Sequence, residues 1–383
     1  MRVVIVGGGP AAFAAARGYR AANGEGDVTI LTPELTPPYT RPALSKEFLR
    51  GELQDEDVPI EPAGWYEQHK IALRLGTEAD TLDPAQRTIT LAGGETLAYD
   101  ACVLATGAEP KALQVPGATE EWVLLLRSLA TARVLRDRAA NSTSAVVVGS
   151  GFIGCEAAAS LAMRGVNATL VTDEAIPHET RLGEAAGRRI KGWLEELGVE
   201  LVLGGGVETI SDHAVRVPGR EPIRGDLVLM AAGVQPCAGL ASDAGLELEN
   251  GRVKTDAQMR TSHEHVYAAG DVAFAYNAAA ERHLAVEHWG EALNMGEVAG
   301  KTIAGAPAQW DVAPGFWSTI GEHTLKYVAW GDGYDEAHLV DHGAGAFTVW
   351  YAKQGTTVGV LTHDADEDYE NGRELIETKA PLK

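Results

Sequence analysis

Short apolar runs that break into glycine recur along the chain. Residues 2–6 (RVVIV) are almost wholly apolar, the pattern of a strand covered on both faces, and run straight into GGGPAA. An alanine-rich stretch and a second apolar run follow, predicting strand 2–6, helix 10–22 and strand 27–32. The prolines of TPPYTRPALSKEF exclude regular helix and predict a stiff loop. Residues 87–106 read as short strands around AGGE and end in YDACVLATG. After the Pro/Gly link EPKALQVPGA, a second such unit begins at Ala145, with helix 152–164, strand 166–172, helix 183–197 and strand 199–203. VYAAGDVAF, a helix over about 287–304, a GAPAQWDVAPG linker and a strand-rich tail with Trp317, Trp330 and Trp350 complete the chain.

The two units match at both ends. VVIVGGGPAA and VVVGSGFIG start 142 positions apart (Gly149 minus Gly7), and GDLVLMAAGVQP echoes YDACVLATGAEP. Chance is a poor explanation for a repeat that covers both boundaries. The pattern predicts an α/β chain with two duplicated Rossmann-like dinucleotide-binding domains and a small α+β C-terminal domain. The expected boundaries are 1–112 with 238–309, 113–237, and 310–383.

A dinucleotide turn needs glycine where the backbone bends and again where a pyrophosphate approaches. It then needs a small residue where helix meets strand. Gly7, Gly9 and Ala12 meet these needs in the first copy, and Gly149, Gly151 and Gly154 in the second. Backbone N–H groups and the helix dipole at each helix start then favour phosphate. An acid about twenty positions on would hold a ribose. Glu34 lies 22 after Ala12, with Pro33 at the usual acid position; Asp173 lies 19 after Gly154, with Glu174 beside it. Which of Asp173 and Glu174 makes the contact stays open. One copy alone would fit a ligand-free turn; two supported copies point to two dinucleotides.

Composition narrows the setting. The 383 residues are 45% hydrophobic and 22% charged, an ordinary globular balance too long for one core. A net charge of −22 argues against nucleic acid or an anionic membrane as main partner. No apolar run reaches the roughly 18 residues of a membrane span. MRVVIVGGG enters a strand at once, predicting no secretory signal and a cytoplasmic location. Cys102, Cys155 and Cys237 are widely spaced and form no CxxC pair, which suits a reducing compartment. His263 and His265 in SHEHV would ligate a metal only with further partners nearby; the plainer reading is a solvated loop, and no metal site is expected.

These motifs resemble the FAD-dependent pyridine nucleotide oxidoreductases, in their ferredoxin-reductase and apoptosis-inducing-factor branch, over nearly the whole chain. PPYTRPALSK is similar to that branch's PYDRPPLSK segment beside the flavin, and LATGAEP and VYAAGDVA to its other FAD-contacting motifs. VVVGSGFIGCE is similar to its NAD-binding signature, and VEHWGEA and FWS to the segments that close over the isoalloxazine. The resemblance implies that Gly7, Gly9, Ala11 and Ala12 cradle the FAD pyrophosphate, while Arg41, Pro42, Lys46, Thr106 and Gly107 line the flavin. It places Arg127 near the adenosine side, Gly270 and Asp271 at the ribityl chain, and Glu287, His288, Trp289 and Trp317 around the ring. For NADH it places Phe152 and Ile153 near the nicotinamide, Glu156 beside it, and Gly233 at the close of the second site.

Lys46 beside a flavin would supply a fixed positive charge, and Asp271 after a strand and glycine would be desolvated and need a hydroxyl-rich partner. As plainer alternatives, Lys46 is a surface lysine and Trp289 and Trp317 are core. Cys102 and Cys155 read as packing residues. RPALSK has no cysteine, so electrons would leave directly from the flavin, with Lys46 and Glu156 as the catalytic pair. The implied function is an NADH-dependent FAD reductase serving a ferredoxin-type iron–sulfur protein of an oxygenase or similar system, as a monomer or weak homodimer. Two alternatives stand beside it: an apoptosis-inducing-factor-like partner binder, and an NADH oxidase or quinone reductase. The branch usually carries PWFWS; here Gly315 replaces the first tryptophan, and the space it leaves is the feature that would admit a small acceptor. Arg188, Arg189 and Lys191 form a candidate docking patch. Asp173 and Glu174, with no Arg or Lys until Arg181, imply NADH in preference to NADPH.

Overall fold

The computed structural model describes residues 1–382. Strand β1 (Arg2–Val6), helix α1 (Pro10–Ala21) and strand β2 (Asp27–Leu31) form the first unit. Its sheet is five-stranded and wholly parallel, in the order Val266–Ala268, Ala101–Leu104, β1, β2, Ile71–Arg74. Strand β3 (Ser144–Val148), helix α2 (Phe152–Met163) and strand β4 (Asn167–Val171) form the second. Its sheet repeats the plan: Val123–Leu125, Leu227–Met230, β3, β4, Glu200–Val202, again all parallel. Val3 to Val6 and Ala145 to Val148 are buried, which is why these strands read as continuous apolar runs.

The copies differ at one edge. The first sheet takes its last strand from Val266–Ala268, after the second unit; the second takes its own from Val123–Leu125, before β3. The first sheet is therefore assembled from two stretches of chain. The crossings between units, Ala108–Pro110 and Val234–Pro236, pair antiparallel and hold the units together.

Helix α3 (Glu179–Glu196) begins four residues earlier than the sequence pattern predicts. Gly183 breaks its helical geometry at φ 78°, and the turn before that break is anchored by the Glu174 carboxylate, which accepts the N–H groups of His178 and Thr180, both at 3.0 Å. The proline-rich loop also departs from expectation. Arg41–Ala43 form a 3₁₀ turn, and beyond the last proline Glu47–Arg50 close one short helix ending at Gly51.

Helix α4 (Trp289–Ile303) lies along α1 with backbones in contact; a Cβ at Gly300 would fall 2.1 Å from the Ala15 carbonyl oxygen. This packing seats His288 and Trp289 beside the first glycine turn. The C-terminal unit is a five-stranded antiparallel sheet led by β5 (Gly315–Ile320), then His323–Ala329, Thr356–His363, Ala346–Lys353 and the edge strand Glu336–Gly343, with helix α5 (Asp366–Glu377) packed against it. Among the described residues no helix is long and apolar enough to cross a membrane.

Candidate functional site

Both glycine turns open into one cleft of about 820 Å³. At Gly7 and Gly149 the backbone takes φ 133° and 110°, and a Cβ would fall 2.1 and 2.4 Å from the carbonyl oxygens of Ala105 and Ala231. Only glycine fits there. Ala12 is fully buried, and a Cβ at Gly154 would meet the Gly149 carbonyl oxygen at 2.0 Å. Gly149, Gly154 and Ala12 therefore shape the turns, while Gly7, Gly9, Ala11 and Gly151 line the cleft.

The turns fit dinucleotide phosphates. Helices α1 and α2 start at Gly9 and Gly151 with no side-chain cap and no acid in the first turn, leaving positive helix ends without counter-charge. A Cβ on Gly9 would meet nothing closer than Arg41 Nε at 4.0 Å, and one on Gly151 nothing within 4 Å, so both helix starts border open space. The Trp289 indole N–H, in the same cleft, is buried without a partner. That leaves room and an idle donor for a ligand the size of FAD beside the first turn.

The remaining residues sort by distance from each turn. On the first side, Glu34 accepts from Arg41 at 2.5 Å and from the Tyr39 hydroxyl at 2.6 Å. Arg41 also donates to the Arg127 carbonyl at 2.7 Å, and Arg127 pairs with Asp271 at 2.7 Å, linking both units. Pro42, Thr106, Gly107, Gly270, Glu287, His288, Trp289 and Trp317 line the same side. Glu287 is ion-paired with Arg252, and Trp317 stands half exposed at the cleft, edge-on to Trp289 at 6.3 Å.

On the second side, Phe152, Ile153, Glu174 and Gly233 line the cleft; Asp173 is exposed and does not. Glu174 accepts from the Ser150 hydroxyl at 2.9 Å as well as from the two α3 N–H groups. Against the upward pull of burial, the hydrogen bonds from Thr180 and Ser150 hold its carboxyl below its ordinary value. Phe152 lies between two rings, His178 at 4.2 Å and Phe316 at 4.6 Å, and His288 stacks on Phe316 at 4.1 Å. Burial, then the charge of Arg181, pushes His178 down to about 4 and His288 down to about 3, so both are neutral near pH 7.

Where the two sides meet stands Glu156. Its carboxylate accepts from Lys46 at 2.9 Å and from the hydroxyls of Ser45 and Ser318, the last at 2.7 Å. Lys46 is 5% exposed, so the surface-lysine alternative fails. The carboxylate half of this buried pair is satisfied by three donors, while Lys46 Nζ makes one bond among the described residues, to Glu156, and keeps donors free toward the cleft.

Two expectations are corrected. The candidate docking patch is neutralised: Arg188 pairs with Glu184, Arg189 with Asp341 at 2.5 Å and Lys191 with Glu195 at 3.2 Å. The space expected at Gly315 is filled, since a Cβ there would meet the Tyr369 hydroxyl at 2.8 Å and Arg373 at 2.9 Å. His263 and His265 flank Glu264 in an exposed loop, and among the described residues no group of three ligands could hold a metal. Tyr39, Ser45, Phe316 and Ser318 sit inside quoted motifs and could have been singled out; His178 and Thr180 carry no sequence signal.

Comparison with known proteins agrees with this geometry. Residues 1–296 match the family described as pyridine nucleotide-disulphide oxidoreductase, and residues 315–383 match the reductase C-terminal family. The chain is 33% identical to a ferredoxin–NAD(P)(+) reductase of Sphingomonas sp, covering 100% of this chain and 94% of that protein. It is 31% identical to rhodocoxin reductase of Rhodococcus erythropolis, covering 100% and 91%. The structure of putidaredoxin reductase in its covalent complex with putidaredoxin superimposes with a TM-score of 0.94 at 27% identity, covering 100% of this chain and 94% of that one. With the family match running over residues 1–296 and the fold superimposing over the whole chain, the chain belongs to the pyridine nucleotide-disulphide oxidoreductase family.

Proposed function

We propose that this protein is an NADH-dependent FAD reductase that passes electrons to a small iron–sulfur protein of ferredoxin type, in an oxygenase or similar system. The supporting observation is the single cleft running from the first turn to the second, with the Lys46–Glu156 pair between them. FAD held at the first turn would supply the hydride-accepting and one-electron-releasing chemistry that links NADH to an iron–sulfur acceptor. The protein's part is placement and charge. The α1 start and the Arg127–Asp271 pair hold FAD, and the α2 start and Glu174 hold NADH. Lys46 sets a positive charge beside the flavin, and Phe152 and Phe316 exclude water from the meeting point.

Cys237 lines the cleft but stands alone, and Cys102 and Cys155 are fully buried, so no thiol pair carries electrons among the described residues. Trp317, half exposed at the cleft, is the exit side. The filled space at Gly315 removes the feature that favoured a small-molecule acceptor. The domain division at 112/113, 237/238 and 309/310, and a cytoplasmic location, belong to this proposal. Anaerobic titration with NADH should bleach a yellow, FAD-loaded protein, and cytochrome c should be reduced rapidly only after a ferredoxin is added. Full-rate reduction without ferredoxin would overturn the acceptor assignment.

A further inference from the structure

Each oxygen of the Glu156 carboxylate has its own donors. Oε2 accepts from Lys46 Nζ and the Ser45 hydroxyl, both supplied by the proline-rich loop of the first unit. Oε1 accepts from the Ser318 hydroxyl at 2.7 Å, and Ser318 belongs to β5 of the C-terminal sheet. Glu156 itself rides on α2, one turn beyond the second glycine turn. All four side chains are buried, Ser318 at 1% exposure. Strand alternation sets its neighbours: Phe316 turns inward, Trp317 outward and Ser318 inward again.

We infer that Ser318 is a positioning residue for hydride transfer: its hydroxyl fixes the Glu156 carboxylate and, through it, the charge of Lys46 at the meeting point of the two nucleotides. Without Ser318, Oε1 faces a buried space with no donor. A desolvated carboxylate oxygen without a partner is costly, so the group rotates or takes a proton. Either response leaves the Lys46 charge less compensated beside the flavin, which makes the flavin easier to reduce. Protonation would also remove, and rotation displace, the negative charge held at the meeting point, so hydride delivery slows. The inference rests on the proposed NADH–FAD reading. If that reading were wrong, wild-type protein would bind no FAD or show no reduction by NADH, before any variant is compared.

The test uses FAD-loaded Ser318→Ala, Ser318→Thr, Glu156→Gln and the double variant Ser318→Ala/Glu156→Gln. Flavin midpoint potential is measured by dye equilibration, together with kcat and KM for NADH. Ser318→Ala should keep its FAD, raise the midpoint potential and slow flavin reduction about tenfold, the scale of one hydrogen bond to a charged group. Ser318→Thr, which keeps the hydroxyl, should restore both. In the Glu156→Gln background, removing Ser318 should change either quantity less than twofold, because the partner it acts through is gone. Wild-type potential and rate in Ser318→Ala would overturn the inference, as would an undiminished effect in the Glu156→Gln background. Should Ser318→Ala not fold, Ser318→Gly, which also removes the hydroxyl, carries the same test: an unshifted potential there would overturn it.

Discussion

The first and second glycine turns share a backbone and differ in how the acid behind each is balanced. In both copies the residue after the strand is threonine, Thr32 and Thr172, whose hydroxyl accepts the N–H of a glutamate two residues on, at 3.2 Å in each case. The duplication therefore extends to the ribose side, with a glutamate two residues beyond each threonine. Beyond that the copies part. Glu34 is neutralised by Arg41 and held by Tyr39, within a chain of pairs that runs to Arg127 and Asp271. Glu174 is held by uncharged donors alone, a hydroxyl and two backbone N–H groups, so its charge is fixed but not cancelled. A common backbone supplies the phosphate seats; the side chains around them decide what stays and what exchanges. The first side is laced across two units, as suits a resident cofactor. On the second, among the described residues, the Glu174 carboxylate has no ion-pair partner, the feature that would disfavour a 2′-phosphate, at a cleft that Arg181 also lines.

Breaking the lacing should have the largest effect. Asp271→Ala leaves Arg127 without its partner in a mostly buried place, where losing half of such a pair costs about 3–5 kcal/mol. FAD affinity should fall about a hundredfold or more, read from flavin absorbance after gel filtration. Full occupancy with unchanged turnover would remove Asp271 from the site.

Acid should act on both sides next, since His288 on the first side is pushed down to about 3 as well, and His178 can be tested alone. His178 packs on Phe152 of the second turn, and burial pushes it down to about 4, below the ordinary value of about 6.5. The unfolded chain binds the extra proton first, so stability is full above about pH 6.5 and is lost as pH falls toward 4. The loss is about 3 kcal/mol for this residue. The melting temperature should drop across that window, and His178→Phe should flatten the drop; an equally steep drop in the variant would show that other groups carry it.

Nucleotide choice sharpens the comparison further. A carboxylate about 4 Å from a phosphate charge costs between roughly 1 and 4 kcal/mol, which is about five-fold to nearly a thousand-fold against NADPH. Glu174→Gln should narrow the NADH/NADPH ratio of kcat/KM about tenfold. Asp173→Asn, an exposed position off the cleft, should change it about twofold or less. A wild-type ratio near one would contradict the role given to Glu174. The smallest effect concerns the thiols. Changing Cys102, Cys155 and Cys237 to alanine should leave NADH-driven flavin reduction in place, and its loss in a folded, FAD-loaded variant would overturn the thiol-free route.

What the sequence revealed follows from the range of the interactions involved. Glycine turns, apolar strands and the repeated ends are local patterns, and the structure places them where their spacing predicts. Glu156 and Lys46 were readable from motifs, yet their depth was not, because burial comes from three separated parts of the chain closing over them. The Glu184–Arg188 and Lys191–Glu195 pairs are helix neighbours four apart and were open to reading, whereas Arg189 meets Asp341 across 152 positions. Gly315 read as a vacancy because its replacements, Tyr369 and Arg373, arrive from a helix more than fifty residues away.

On this reading one cleft holds two dinucleotides at once, one resident and one exchanging. Native mass spectrometry of the yellow protein with excess NAD⁺ reads this directly. The account expects a species carrying one FAD and one NAD⁺, with FAD retained at every NAD⁺ concentration. NAD⁺ that displaced FAD, or bound only to flavin-free protein, would contradict it.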